Sequence, residues 1–169
     1  MAGVTELEAT VKEHVRKRHE EDDEEFLFGS ERVDLRRVAH LKLEARKRKF
    51  KFTVDEPAER GGTDEGPNPL AYFIAGAASC LTNQYLTDAI FRGVKLEGLE
   101  LTARGHFDRR MGGAFTEIVY DLRLTSRSPK AAILRLSREA EDMCYAHNTL
   151  KKAGVKMTTN LFLNGRPLG

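Results

Sequence analysis

The chain has 169 residues, enough to bury the core of one domain, or of one domain with an appendage. Its 28 Lys and Arg residues nearly balance its 26 Asp and Glu residues, and the formal net charge of +2 argues against a general electrostatic attraction to nucleic acid or to a membrane surface. Charged residues make up 32% of the chain with both signs interleaved, which is typical of a solvated surface.

The first segment predicts a short amphipathic helix followed by an acidic linker. Val4, Leu7, Val11 and Val15 recur at helical spacing, and the sequence then becomes HEEDDEEF. We interpret residues 1–31 as a charged N-terminal extension and residues 32–169 as the main domain. The extension is either a solvated appendage, a helix at the edge of a dimer, or an arm that binds a partner. Charges throughout its start argue against a secretory signal, so we expect a cytoplasmic protein.

The next segment predicts strands, because apolar and polar residues alternate with a period of two from Arg32 to Glu56. Two strands are expected, joined by a tight basic turn at Arg46-Lys47-Arg48. The following stretch, DEPAERGGTDEGPN, is rich in Pro, Gly, Asp and Asn, and it predicts an irregular surface loop.

The most apolar helix of the chain is predicted over residues 69–92. Asn68 can cap its first turn, Pro69 suits the first helical position, and Gly93 fits a left-handed ending. The uncharged run from Gly66 to Thr87 contains Asn, Pro, Ser, Thr and Gln, which favours a buried helix over a membrane span. The small residues 75–79 would let another backbone approach just before Cys80.

The second half of the chain predicts two further strands, one helix and a last strand. LEGLELTARGHFD and TEIVYDLRLTS both alternate with period two, around a turn at residues 110–113. Ser128-Pro129 then begins a helix that Gly154 ends, with Cys144 on its inner face, and residues 155–163 form the last strand. After the extension the order is β-β-α-β-β-α-β, which predicts an α+β layered fold.

Both cysteines fall on the buried faces of the only two long core helices, and with no export signal we expect free thiols. A helix pair could bring Cys80 and Cys144 within reach of one another, although buried thiols are more often inert core side chains. Gln84 and Thr87 add polar groups to the stripe that carries Cys80. This polarity favours an accessible cleft beside the thiol.

Other constellations give weaker signals. Cys144 and His147, with Cys80 and His106, could supply four zinc ligands, but one CxxH motif without a second pair does not predict a metal site. GGTDEG lacks the Lys-Ser/Thr of a phosphate-binding loop, and no GxSxG or HExxH motif occurs. His147 could act as a base for Cys144, but a histidine three residues away on a helix more often packs in the core.

The segment VDEPAERGGTDEGPNPLAYFIAGAASC, followed about sixty residues later by CYAHNTL and a strand, resembles the OsmC/Ohr family of osmotically inducible and organic hydroperoxide resistance proteins. The resemblance covers residues 33–165. It is carried by the Gly-rich loop, by the PNP start of the helix, and by a Cys eleven residues after the second Pro. It implies an OsmC-like fold with antiparallel sheets around two long central helices, in an intertwined homodimer.

Many members of that family reduce organic hydroperoxides or hydrogen peroxide with a pair of cysteines. The resemblance therefore implies a peroxidatic thiol at Cys80 and a resolving thiol at Cys144, an external dithiol reductant, and no bound cofactor or metal. In the family a guanidinium from the early hairpin activates the peroxidatic thiol. Arg46 and Arg48 are the candidates for that role here, with Arg37 as another.

Two positions depart from the family pattern. The carboxylate that holds the arginine, one or two positions after the PNP proline, is replaced by Leu70 and Ala71, and Asp64 or Glu65 is the candidate substitute. The resolving cysteine is usually followed by Pro, and here it is followed by Tyr145. The expected function is a thiol-dependent hydroperoxide reductase. The alternative is a protein of the same fold with little peroxidase activity that binds a small apolar molecule or a lipid.

Overall fold

The computed structural model describes residues 2–20 and 29–168 of the chain. The chain forms two compact units, of which the first comprises residues 1–22 and 76–169 and the second comprises residues 23–75. The division into an extension and a main domain at residues 31 and 32 stays a prediction.

The second unit contains a three-stranded antiparallel sheet in the order β1-β2-β3. Its strands are β1 (Asp34–Ala39), β2 (Lys42–Lys47) and β3 (Phe50–Val54).

The prediction of two strands in this region is wrong, because the chain makes an additional turn at residues 40 and 41. The second turn lies at residues 48 and 49, so Arg46 and Lys47 belong to β2. A two-residue turn preserves the alternation of apolar and polar residues, so this periodicity does not reveal it. His40 and Arg48 adopt the positive φ angles, 45° and 54°, that such turns require. Neither residue type marks a turn as strongly as Gly or Asn.

The loop and the apolar helix follow the prediction closely. Residues 55–68 are irregular apart from one turn of 3-10 helix at Ala58–Arg60. The helix, α2, runs over Pro69–Arg92, and its residues 69–75 belong to the second unit. The Asn68 side-chain oxygen accepts a hydrogen bond from the Ala71 backbone N–H at 2.8 Å, and Gly93 has a φ of 68°. The predicted cap, first position and ending are therefore confirmed.

The first unit contains a four-stranded sheet in the order β4-β5-β6-β7. The β4–β5 pair is antiparallel, as predicted, and the β6–β7 pair is antiparallel as well, whereas the β5–β6 pair is parallel. The helical connection between β5 and β6 returns the chain to the same end of the sheet, and a parallel pair results. The two-residue strand β7 was not predicted. The strands are β4 (Leu96–Asp108), β5 (Ala114–Ser126), β6 (Lys156–Leu163) and β7 (Arg166–Pro167).

The prediction of one long helix before the last strand is also wrong. The segment forms two helices, α3 (Lys130–Met143) and α4 (Tyr145–Lys152), separated by Cys144, whose backbone is extended with φ −80° and ψ 114°. Buried residues continue at intervals of three and four through the break, so the periodicity does not reveal it. The Asn148 side chain donates a hydrogen bond to the Asp142 carbonyl at 2.6 Å, which satisfies one of the open carbonyls at the end of α3.

The N-terminal helix, α1 (Ala2–Glu20), extends further than predicted and includes the first two residues of HEEDDEEF. The rest of the predicted acidic linker lies outside the described residues. Val15 is buried, whereas Leu7 is exposed. Within the described residues no helix combines the length and the apolar character needed to cross a membrane.

The core of the first unit is formed by the inner faces of α2, α3 and β5. Every second residue of β5 from Ile118 to Ser126 is buried, so one face of this strand is covered along that stretch. The largest enclosed side chains on the two helices are Leu81, Tyr85, Ile133 and Leu136.

Candidate functional site

The first predicted thiol, Cys80, lies on α2 within the first unit and is partly exposed. Its neighbours Ala77 and Leu81 are buried in the core. The helix therefore holds Cys80 at the boundary between the core and the surface.

The second predicted thiol, Cys144, is fully buried at the break between α3 and α4. It ends the first of these helices and immediately precedes the second, so the backbone N–H groups of the first turn of α4 lie near its side chain. The break occurs although the residue after Cys144 is Tyr145 rather than Pro. The departure from the family sequence at this position therefore does not remove the break.

The structure brings the two sulfur atoms together. The Cys144 S–H donates a hydrogen bond to Cys80 Sγ over 3.5 Å, and neither cysteine is in a disulfide. The hydrogen bond to Cys80 raises the pKa of Cys144 strongly, and burial raises it further, while the backbone N–H groups of His147 and Ala146 lower it. Cys144 is therefore the proton donor of the pair. A hydrogen bond donated to Cys80 favours negative charge on that sulfur.

The polar stripe next to Cys80 is not the open cleft that the sequence favoured. Gln84 and Asp88 are 6% and 2% exposed, and the Gln84 side-chain amide donates to an Asp88 carboxylate oxygen at 2.9 Å. The Thr87 hydroxyl donates to the Gln84 carbonyl at 3.0 Å. These hydrogen bonds pair the Gln84 amide, one Asp88 carboxylate oxygen and the Thr87 hydroxyl within the helix.

Two further buried polar groups belong to the same unit. His147 on α4 is 5% exposed, its Nδ1 has no hydrogen-bond partner among the described residues, and burial lowers its pKa. Tyr120 on β5 is fully buried, and its hydroxyl also lacks a partner among the described residues. The alternation of β5 predicts that Tyr120 is buried, but no local pattern connects it with the cysteines.

The predicted cationic residues lie in the second unit. Arg46 is on β2 and Arg48 is in the turn before β3, and both are exposed. The third candidate, Arg37, donates a hydrogen bond from Nε to the His40 carbonyl at 2.9 Å, so its guanidinium stabilises the β1–β2 turn. The role of Arg46 and Arg48 in activating a thiol stays a prediction.

The candidate substitutes for the family carboxylate also lie in the second unit. Glu65 accepts hydrogen bonds from Lys42 Nζ at 2.8 Å and from the Thr63 hydroxyl at 3.0 Å. Glu65 thus holds a lysine rather than an arginine. Asp64 occupies a position with a φ of 57°. At the positions where the family has its carboxylate, Leu70 and Ala71 are both exposed.

Within residues 2–20 and 29–168, no group of three or more His, Cys, Asp or Glu side chains is arranged to hold a metal ion. In particular, His106 lies on β4 and is exposed, whereas Cys144 and His147 are buried.

Comparison with protein families assigns the chain to one family. A family model described as OsmC-like protein matches residues 62–160, more than half of the chain, including both cysteines. No curated protein matches this chain.

Solved structures share the fold. An OsmC like protein from Mycoplasma pneumoniae aligns with a TM-score of 0.72 at 21% identity, over 80% of this chain and 97% of its own. An organic hydroperoxide resistance protein from Elizabethkingia anophelis, with thiocyanate bound, aligns with a TM-score of 0.64 at 16% identity, over 80% and 99% of the two chains. An organic hydroperoxide resistance protein OsmC from Legionella pneumophila aligns with a TM-score of 0.60 at 18% identity, over 80% and 98%. The OsmC-like α+β fold is thereby confirmed.

Proposed function

Since this chain belongs to the OsmC-like protein family, we propose that it is a thiol-dependent peroxidase that reduces organic hydroperoxides or hydrogen peroxide. A fold alone does not determine an activity. The proposal depends on one observation at the site, the hydrogen bond that joins the Cys144 and Cys80 sulfur atoms over 3.5 Å.

The first step takes place at Cys80, the proposed peroxidatic thiol. Its thiolate attacks the terminal oxygen of the hydroperoxide, the O–O bond breaks, and the alkoxide leaves with the electron pair and takes up a proton from solvent to give the alcohol. The Cys80 sulfur is oxidised to a sulfenic acid. The proton donated by Cys144 supports this step, because it stabilises the thiolate that reacts.

The second step joins the two cysteines. The Cys144 sulfur attacks the Cys80 sulfur, the S–O bond breaks, and water is the second product. An S–S bond is about 2.05 Å long, so the two sulfur atoms need to move closer by only about 1.5 Å. An external dithiol then reduces the disulfide by thiol–disulfide exchange. No cofactor takes part in either step.

Arg46 and Arg48 remain the proposed source of the positive charge that activates Cys80. We place the enzyme in the cytoplasm, where a dithiol reductant is supplied. We further propose a homodimer, because α2 has no charged residue before Asp88 and yet exposes Leu70, Phe73 and Leu86 to 46%, 46% and 42%. Large apolar side chains on an uncharged helical segment are normally buried, and a second copy would cover them.

A second candidate function is the binding of a small apolar molecule or a lipid. A cavity of about 530 Å³ in the first unit favours it, since ligand sites of small molecules have volumes of this order. Leu86, Ile90 and Val94 supply apolar walls, and Glu8 and Lys12 on α1 supply charged groups at the same cavity.

Titration of the purified, reduced protein with cumene hydroperoxide tests the proposed function. At a stoichiometric amount of hydroperoxide we expect mass spectrometry to show the loss of two hydrogens and a peptide that links Cys80 to Cys144. Free thiols that survive excess hydroperoxide would contradict the peroxidase and favour the binding protein.

Two matched variants assign the roles of the thiols. Cys80→Ser should abolish hydroperoxide consumption, because no thiolate remains to attack the O–O bond. Cys144→Ser should permit a single turnover and then overoxidation of Cys80, because the sulfenic acid has no resolving partner. Full activity of Cys80→Ser would show that the mechanism is wrong.

A further inference from the structure

A buried tyrosine of the first unit interacts electrostatically with both sulfur atoms. Tyr120 is 0% exposed, and its neighbours at alternate positions of β5, Ile118 and Leu122, are also fully buried. Its ring therefore projects from the covered face of the sheet. Burial raises the pKa of Tyr120 to about 12, and electrostatic interaction with Cys144 and Cys80 adds to this effect. The hydroxyl is thus protonated at every working pH and lies within electrostatic reach of both sulfurs.

The Tyr120 hydroxyl has no hydrogen-bond partner among the described residues. Burying a hydroxyl without a partner costs free energy, so an unpaired buried hydroxyl needs an explanation. Tyr85, which is equally buried, shows the usual situation, because its hydroxyl lies 2.6 Å from Ser137 Oγ. A phenylalanine at position 120 would fill the same space without that cost. This contrast indicates that the Tyr120 hydroxyl meets its partner in another state of the site.

We propose that the Tyr120 hydroxyl donates a hydrogen bond to the Cys144 thiolate that forms when the Cys80 sulfenic acid is resolved. This inference rests on the proposed peroxidase function. In the resting site Cys144 is a thiol whose proton is donated to Cys80, and a neutral thiol is a weak acceptor. Once Cys80 is oxidised, Cys144 has to ionise while it is fully buried, and its sulfur then becomes a strong acceptor that attracts the unpartnered Tyr120 hydroxyl.

The resolving step balances without a further reactant. Cys144 releases its proton, and its sulfur attacks the Cys80 sulfur with an electron pair. The S–S bond forms while the S–O bond breaks, and the oxygen leaves as hydroxide and takes up a proton to become water. The sulfenic sulfur is reduced and the Cys144 sulfur is oxidised. Tyr120 keeps its proton throughout, and stabilises the thiolate before the attack.

Titratable groups from four different elements act on this site. Cys80 faces it from α2 and Tyr120 acts from β5. The half-buried Glu141 on α3 adds negative charge near Tyr120 and His147. His147 on α4 is kept neutral by burial, and its backbone N–H favours the Cys144 thiolate together with that of Ala146. Among these side chains, Tyr120 is the neutral hydroxyl donor without a partner.

The test compares Tyr120→Phe with the parent protein and with Tyr85→Phe. Each protein is mixed rapidly with stoichiometric cumene hydroperoxide at a series of pH values from 6 to 9, and sulfenic acid and disulfide are counted separately by trapping and mass spectrometry. In Tyr120→Phe we expect sulfenic acid to form at the parental rate. Conversion to the disulfide should be about tenfold slower at pH 7, as expected for loss of one hydrogen bond to a charged group. The pH midpoint of that conversion should rise by about one unit.

Tyr85→Phe is the matched control, because it removes a buried hydroxyl whose partner is Ser137. It should lower stability and leave the rate and the pH midpoint of disulfide formation unchanged. Site-specific replacement of Tyr120 by 3-fluorotyrosine, a stronger donor of similar shape, should shift the midpoint in the opposite direction and so tests the inference even where Tyr120→Phe does not fold.

Two outcomes would overturn the inference, and they can be told apart. A parent protein that forms no sulfenic acid with hydroperoxide overturns the peroxidase function and the role of Tyr120 with it. A parent protein that reacts normally, alongside Tyr120→Phe with the same disulfide rate and pH midpoint, overturns only the role of Tyr120.

Discussion

Asp55, in the second unit, shows how a single residue orders the loop that precedes α2. It is 1% exposed at the end of β3, and one of its carboxylate oxygens accepts hydrogen bonds from the Thr63 hydroxyl at 2.7 Å and from the Thr63 and Glu65 backbone N–H groups at 3.0 and 3.2 Å. Its other oxygen accepts the Glu56 N–H at 2.9 Å. The hydrogen bond from the Thr63 side chain is the main cause that lowers the pKa of Asp55 from 3.8 to about 2. These contacts join both ends of the loop.

The lowered pKa of Asp55 predicts how stability depends on pH. A carboxyl whose pKa is lower in the folded than in the unfolded protein stabilises the fold above the unfolded value, and this contribution is lost as the pH falls through the folded value. The contribution of Asp55 should therefore be complete above about pH 4 and disappear between pH 4 and 2. Urea unfolding of Asp55→Asn should show a lower free energy of unfolding at pH 7. Between pH 4 and 2 this free energy should fall less steeply than in the parent protein.

Asp64→Asn provides the control for Asp55→Asn, since it removes the same charge from the same loop, and Asn tolerates the positive φ found there. Because Asp64 is exposed, its substitution should lower the stability at pH 7 less than Asp55→Asn does. If the free energy of unfolding of Asp55→Asn falls as steeply between pH 4 and 2 as that of the parent protein, other carboxylates cause the acid sensitivity.

The two thiols could be found from the sequence, whereas the groups around them could not. Cys80 and Cys144 are the only cysteines in the chain, and each follows a helical pattern that marks it as inward-facing. Tyr120 comes to them from a strand distant in sequence, and no local pattern indicates which side chains share a core. The polar side chain of Gln84 led to the expectation of an accessible cleft. In the structure Gln84 is buried instead, because it donates a hydrogen bond to Asp88 on the same helix.

At the scale of elements, the break between α3 and α4 forms although position 145 holds a tyrosine and not a helix-breaking proline. Cys144 has φ −80° and ψ 114°, and extended geometry of this kind is compatible with a proline at the next position. Tyr145 is the first residue of α4, the helical position that proline favours, and its side chain is 67% exposed. We therefore expect Tyr145→Pro to change the free energy of unfolding by less than about 1 kcal/mol. Urea unfolding measures this change.

Ala146→Pro is the contrasting variant, one residue further along α4. A proline there disfavours the helical conformation of Tyr145 and removes a backbone N–H that lies near the Cys144 sulfur. It should destabilise the protein by more than about 1 kcal/mol. Equal losses in the two variants would mean that the first turn of α4 does not begin at Tyr145.

The elements that could be predicted are those whose ends carry a chemical signal. α2 begins at Asn68-Pro69 and ends before Gly93, and each of these residues satisfies a definite requirement of a helix terminus. The turn at His40 and the break at Cys144 lack such residues and interrupt neither the alternation of the strands nor the helical spacing. The additional strand and the second helix therefore became visible only in the structure.

At the scale of the whole molecule, the exposed part of α2 predicts association between two copies of the chain. Phe73 is 46% exposed on a helix without charged residues before Asp88, and a second copy would remove this apolar surface from water. We expect sedimentation equilibrium of the parent protein to give twice the mass of one chain. Phe73→Arg should shift the protein towards the mass of one chain at micromolar concentration, because a buried unpaired charge is costly.

Met111→Lys is the control for the dimer, because Met111 is 64% exposed in the turn between β4 and β5, away from α2 in the sequence. This substitution also replaces an exposed apolar side chain by a cation, so it reproduces the change in charge and surface character. It should leave the dimer mass unchanged. A parent protein that sediments with the mass of one chain at every concentration would refute the proposed dimer. Equal weakening of the dimer by both variants would show that added charge, and not the apolar face of α2, controls association.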